Sequence, residues 1–324
     1  MAAGCVGDSS ASPGDRPVAD PDPVSLDTLP TEAARPELAD LDTWPTSDIV
    51  SAFFADQADV IDAVRAAHPQ ISAAADVVAA QMVAGGRLIY VGAGTGGRIA
   101  ALDAAEVAPS FGLRGRVLAV FAGGVDAMAD GREFYEDDEK QGAREVEALN
   151  LTADDVVIGV SASGRTPYVL GGIAAARAVG AHTVGFACTP GSPLARTSGV
   201  ALEVLTGGEL IAGSTRLKAG AAQKIVLNLI STIAMVRLGR TYGNLMVDLS
   251  ADNGKLRRRA LRAVAAATGL DDDAAAVVLD AAGGDVKTAI VAELAGVSSE
   301  QAGELLARAA GRTRLAIALA DASD

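Results

Sequence analysis

The residues of this 324-residue chain that could do chemistry lie in three short loops and a few acidic side chains. The first loop reads Gly92-Ala93-Gly94-Thr95-Gly96-Gly97-Arg98, after an apolar run and before a helical one. Glycine lets a backbone approach a ligand closely, and a helix start offers unpaired N–H groups and partial positive charge. The loop is therefore an anion cradle, with Thr95, Gly96, Gly97 and Arg98 as its donors. The spacing Gly92-x-Gly94-x-x-Gly97 also fits a dinucleotide fingerprint. The acidic residue expected after the next strand is missing, because the chain there reads Val120-Phe121-Ala122-Gly123-Gly124.

The second loop reads Ser161-Ala162-Ser163-Gly164-Arg165-Thr166-Pro167. Thr166-Pro167 suits a helix cap and first residue. Ser161, Ser163, Gly164 and Thr166 suit a phosphate held by hydroxyl and backbone donors, or else an ordinary polar turn. Two such loops on one sheet point to a phosphosugar. A third segment, Gly213 to Gly220, carries Ser214, Arg216 and Lys218. Its cations counter a phosphate or carboxylate, or are solvated charges at a helix start, where they would oppose the helix dipole. Among the acids, Glu106 stands in the apolar run Leu102 to Pro109 and needs a partner or a task. Asp103, on the same helical face, is a second site carboxylate or a structural acceptor. The cluster Glu133-Phe134-Tyr135-Glu136-Asp137-Asp138-Glu139 reads by itself as a solvated face.

These loops need a frame. Five apolar runs, at Arg87–Gly92, Val117–Phe121, Val156–Val160, Thr183–Ala187 and Ala201–Leu205, read as buried strands. Helical patterns between them predict a parallel sheet covered on both faces, with ligands beyond the strand carboxyl ends. A helical pattern at 46–83 precedes them. A helix over Ala219–Leu238, apolar around most of its circumference, is expected in the core or an interface. Its polar positions Lys224, Asn228 and Ser231 share one face, turned to a site, to a partner subunit or to neither. Residues 1–24, rich in Ala, Gly, Asp, Ser and Pro, read as a disordered tail. The catalytic domain is expected over 25–250 and a small helical domain over 251–324, where Ser298 and Gln301 form a capping box.

Composition excludes several functions. Lys+Arg is 27 against Asp+Glu 41, a formal charge of -14, which disfavours nucleic acid and anionic lipid. The longest apolar stretch, Ile225 to Met235, is interrupted by Asn228, Ser231 and Thr232, and no signal peptide is seen, so the chain reads as cytoplasmic with no membrane partner. The two histidines, His68 and His182, and two cysteines, Cys5 and Cys188, lack metal-ligand spacing. Neither a metal nor a cofactor is expected. Acid–base chemistry would fall to carboxylates.

Taken together, Gly92 to Glu106, Ser161–Tyr168, Gly213–Lys224 and Gly243–Asp248 resemble the N-acetylmuramic acid 6-phosphate etherase family. The resemblance runs from about Thr31 through the C-terminal helices. It implies an α/β sugar-isomerase (SIS) fold, with a five-stranded parallel sheet flanked by helices and a small all-α, ubiquitin-associated-like C-terminal domain. It also implies a homodimer whose site lies near the subunit interface. The implied reaction cleaves the lactyl ether by elimination and water addition, giving N-acetylglucosamine 6-phosphate and D-lactate in cell-wall recycling. By motif position Glu106 matches the family's proton donor to lactate, and Glu136 its second catalytic glutamate, the base at C2. Apolar surroundings would keep Glu106 protonated. Gly96 stands where the family has Ser, removing a hydroxyl expected at the phosphate, and Arg35 stands where it has Asn. A regulator resembling glucokinase regulatory protein and a phosphosugar isomerase are the competing readings.

Overall fold

A computed structural model describes residues 29–129, 133–248 and 254–322. The tail expected at 1–24 and the domain boundary expected at 250/251 fall outside the described residues. Two helices, α1 (Thr46–Ala66) and α2 (His68–Ala84), replace the single helical stretch expected at 46–83. Alternating strands and helices follow: β1 (Leu88–Gly92), α3 (Gly94–Phe111), β2 (Val117–Phe121), α4 (Gly124–Ala129), α5 (Glu139–Glu147), β3 (Val156–Val160), α6 (Pro167–Ala178), β4 (His182–Ala187), α7 (Pro193–Thr197), β5 (Val200–Glu203) and α8 (Lys218–Arg237). The five strands pair in parallel in the order β2-β1-β3-β4-β5. Chain direction across the sheet reverses between β1 and β3, which makes their carboxyl ends the switch point where such sheets bind ligands.

The central strands are apolar on both faces because both are covered. Leu88, Tyr90, Ile158 and Phe186 join one core with α1, α2 and α8, while Ile89, Val91 and Val157 join the other with α6 and α7. At the amino ends of β1 and β3, Asp155 clasps Arg87. It accepts the Arg87 backbone N–H at 2.8 Å, Nη2 at 2.7 Å and the Thr152 N–H at 2.9 Å. Burial acts to raise the Asp155 carboxyl, but these hydrogen bonds outweigh it and hold the group below the usual range.

Helix α8 is long and apolar enough to cross a membrane by length and composition, yet 56% of its 18-residue window is buried inside the protein. It packs against α1, α2 and α3 as a core helix. Its start is built against the dipole problem the sequence poses. Glu209 accepts the backbone N–H groups of Lys218 at 2.8 Å and Ala219 at 3.0 Å, and buried Asp56 pairs with the Lys218 ammonium at 3.1 Å. Burial nonetheless pushes the Glu209 carboxyl above its ordinary value.

A short hairpin, β6 (Thr241–Tyr242) with β7 (Leu245–Met246), leads to the helices α9 (Gly254–Thr268), α10 (Asp272–Ala281), α11 (Val286–Ala295), α12 (Ser299–Arg308) and α13 (Thr313–Asp321). The Ser298–Gln301 capping box is formed with both of its hydrogen bonds. These helices have small apolar cores of their own and are tied back by Lys287 to Asp248 at 2.5 Å.

Candidate active site

At the switch point lies a cavity of about 360 Å³, lined by the loops after β1 and β3, the end of β2 and the segment before α8. The first loop enters α3 through Gly94, whose φ of +51° only glycine adopts readily. Thr95 and Gly96 line the cavity. Gly97 does not: a Cβ there would lie 2.6 Å from the Gly92 carbonyl carbon and 2.5 Å from the Phe121 ring. Its glycine lets α3 lie against β1, so the anion-donor role expected for it gives way to packing. Arg98 lines the cavity, but its guanidinium donates to the carbonyls of Ala127 at 3.0 Å and Met128 at 2.9 Å. It thereby ties α4 to the cavity wall.

In the second loop the hydroxyls converge. Ser161 Oγ lies 2.8 Å from Thr166 Oγ1 and 3.4 Å from Ser163 Oγ, and it accepts the Gly164 N–H at 3.0 Å. Thr166 stands at the N-cap of α6, as its sequence suggests. Its hydroxyl turns to Ser161 instead of capping the helix. Gly164, at φ +64°, is packed over Ser192 and is not part of the lining. From the third segment the structure brings Thr215 to the cavity, and neither Ser214 nor Arg216. The binding role expected of Lys218 is corrected: its ammonium is buried in the Asp56 ion pair, which Arg35 also joins. A desolvated charge needs its counter-charge, and here both are internal.

Glu136 lines the cavity from the turn Glu133–Asp137. Its Oε1 lies 2.6 Å from where a Cβ on Gly94 would stand. The solvated face read from sequence therefore holds for its neighbours Phe134 and Asp137, while Glu136 itself turns inward.

Glu106 departs from expectation. It is outside the cavity lining, its side chain is 58% exposed, and it meets the Lys224 ammonium at 3.1 Å. Apolar neighbours in sequence do not enclose it, because α3 turns Ala100, Asp103 and Val107 to the core. Asp103, three residues earlier, is the structural acceptor. It takes hydrogen bonds from Tyr90 at 2.7 Å, Asn228 at 2.5 Å and Ser231 at 3.1 Å. Burial and the adjacent Asp103 charge push the Tyr90 hydroxyl well up. The polar stripe of α8 is thus the complement of the acidic stripe of α3.

Besides Thr215, two polar lining residues outside the three loops were not singled out from sequence. Gln223 lies beside Gly96, only 1% exposed, and its Nε2 has no hydrogen-bond partner among the described residues. A Cβ on Gly96 would point at Val160 Cγ1, 3.1 Å away, and at the Gln223 amide, 3.2 Å away. A side chain at position 96 would therefore start out against Val160 and the Gln223 amide. Glu32 is the other; it stands next to Thr31, and the start of the family likeness was its only signal.

The parallel sheet with a hydroxyl- and glycine-lined cavity at its switch point, together with a match to the SIS domain model, makes this a SIS-domain protein. Residues 133–233 match the SIS domain model, and residues 70–177 that of the glucokinase regulatory protein N-terminal SIS domain. A phosphoheptose isomerase from Francisella tularensis aligns with TM-score 0.48 and 20% identity, over 60% of this chain and 100% of that one. The chain is 53% identical to the N-acetylmuramic acid 6-phosphate etherase of Streptomyces coelicolor, covering 91% of this chain and 95% of that one. It is 52% identical to that of Rubrobacter xylanophilus, covering 90% and 97%. The chain belongs to the N-acetylmuramic acid 6-phosphate etherase family.

Proposed function

We propose that this chain cleaves the lactyl ether of N-acetylmuramic acid 6-phosphate, releasing D-lactate and N-acetylglucosamine 6-phosphate. The observation that carries the reading is one cavity holding both Glu136 and a set of phosphate donors: Thr95, the backbone of Gly96, Ser161, Ser163 and Thr166. Opening the sugar ring gives a C1 aldehyde that acidifies the C2 proton. Glu136 takes that proton, lactate leaves C3 with a proton from a general acid, and water then adds to the unsaturated aldehyde.

Glu106 is the proposed acid, and its location calls for a second copy of the chain. It stands eleven residues after Thr95 on the same helix, about 16 Å along the axis at 1.5 Å per residue. A hexose whose phosphate rests at Thr95 does not span that distance. The apolar stripes Val50, Phe54 and Ile61 on α1, and Ile225, Leu229 and Val236 on α8, are exposed, each at i, i+4, i+11 on one helix face. Lys224, the partner of Glu106, borders the second stripe. A homodimer that covers these stripes would carry Glu106 to the neighbour's cavity.

The test is release of lactate from the purified protein, then complementation. Glu106→Gln and Glu136→Gln should each be inactive alone, and mixed dimers should recover part of the activity. Absence of lactate release by the wild type overturns the reading, and failure of mixed dimers to recover activity overturns the shared site. The match of residues 70–177 to a regulatory protein's domain favours one second reading, a sugar-phosphate-binding regulator without catalysis. Binding without lactate release would establish it.

A further inference from the structure

We propose that Glu32 is the acid–base group that opens the sugar ring, an assignment that rests on the etherase reading above. That reaction has three proton tasks: opening the ring, removing the C2 proton and protonating departing lactate. Glu136 and Glu106 account for the last two. Glu32 is a further carboxylate lining the same cavity as Thr95, Ser161 and Glu136. Among the described residues its carboxylate has no hydrogen-bond or ion-pair partner, because the nearby cation Arg35 is engaged by Glu37 and Asp56. An ionised carboxylate only accepts hydrogen bonds and repels a phosphate, so Glu32 would meet the donors of the sugar, its hydroxyls or its acetamido N–H, and among these the O1 hydroxyl is the one whose proton the reaction must move.

Its position is fixed by the fold. Thr31 is fully buried, and its carbonyl accepts the Gly213 N–H at 3.0 Å. Gly213 has φ +75°, and Glu32 Oε2 lies 2.5 Å from where a Cβ at that position would stand. A side chain there would strain the backbone and displace the carboxylate. Glu136 is seated in the same way on Gly94. Each cavity carboxylate thus lies over a bare stretch of glycine backbone.

The step balances without a co-reactant. Glu32 takes the proton of the O1 hydroxyl, and the O1 electron pair forms the C1=O bond. The C1–O5 bond breaks with its electrons going to O5, and the carboxyl returns the proton to O5. Neither oxidation nor reduction occurs.

The step can be isolated on N-acetylglucosamine 6-phosphate, which has no lactyl ether to lose, by following exchange between its α and β anomers with NMR. Wild-type protein should accelerate the exchange. Glu32→Gln should lower that acceleration by about 10²-fold or more, with an unchanged Tm, and Glu32→Asp should restore part of it. Glu32→Gln that exchanges anomers at the wild-type rate overturns the proposal, even if its KM is raised, since Glu32 would then only hold a hydroxyl. A wild type that releases lactate but does not speed anomer exchange overturns it as well. A wild type that releases no lactate defeats the etherase reading instead.

Discussion

Two sets of acids sit within one sheet-and-helix frame and are treated in opposite ways. Asp103 and Asp155 are embedded, and each is surrounded by donors supplied by the fold. Glu32 and Glu136 line the cavity, each carboxylate close over the backbone of a positive-φ glycine, Gly213 and Gly94. A carboxylate whose acceptor sites are already filled by the protein holds structure together. Glu32, which lines the cavity and has no side-chain partner among the described residues, is available to a ligand. Exposure alone does not separate the classes, since Glu106 is the most exposed of the five carboxylates discussed and is assigned a task only through a second subunit.

The contrast can be broken in four ways. Glu136→Gln should reduce lactate release by roughly 10²–10⁴-fold and abolish exchange of the C2 proton with deuterium, with folding intact. Activity near the wild-type level would remove Glu136 from the reacting set. Asp103→Ala strips buried Tyr90 and half-buried Asn228 of their acceptor, while Ser231 keeps the Asn228 carbonyl, and should cost roughly 3 kcal/mol, because a buried unsatisfied donor costs about 1–3 kcal/mol. The check is thermal unfolding beside KM: a lower Tm with KM unchanged fits an embedded acid, and a KM defect at unchanged Tm would make it a site residue.

Asp155 gives a pH signature. Its folded-state value is lowered, so its contribution is complete above the unfolded value near pH 4 and is lost as pH falls through the folded value. Asp155→Asn should therefore lie below the wild type in stability at neutral pH, by about 1.5–3 kcal/mol for hydrogen bonds to a charged group, and the gap should close below about pH 4. A gap independent of pH would mean the charge contributes nothing. The smallest effect is expected for Gly96→Ser. With φ outside the left-handed region the backbone accepts serine, but the side chain would start out against Val160 and the Gln223 amide, which must give by a few tenths of an ångström. KM should change by less than about threefold, about 0.6 kcal/mol, the low end of a hydrogen bond's net contribution. A tenfold fall would put that hydroxyl on the phosphate after all.

Much of the frame was legible in the residues. The runs at 117–121 and 156–160 coincide with β2 and β3, and the other three strands shift by only a residue or two at their ends. Short apolar runs between turn residues have one stable use in an alternating pattern, which is why they read clearly. The break between α1 and α2 at Ala67 was missed although Pro69, in the first turn of α2, marks a helix start.

The site was legible only in part. The loops at 92–98 and 161–167 announce themselves because backbone conformation and local hydrogen bonding are written in neighbouring residues. Which glycine serves the anion and which the packing was not, since Gly97 meets Phe121, from the next strand. The sequence alone determined the order of strands and helices, the two donor loops and the acid-rich chemistry, because those depend on residues close together along the chain. Tertiary structure alone decided that Lys218 belongs to Asp56, that Asp103 belongs to Tyr90, Asn228 and Ser231, and that Glu32 and Glu136 share a cavity. Those residues lie far apart in sequence, and the role of a charge is set by what desolvates it and what faces it, which the folded chain determines.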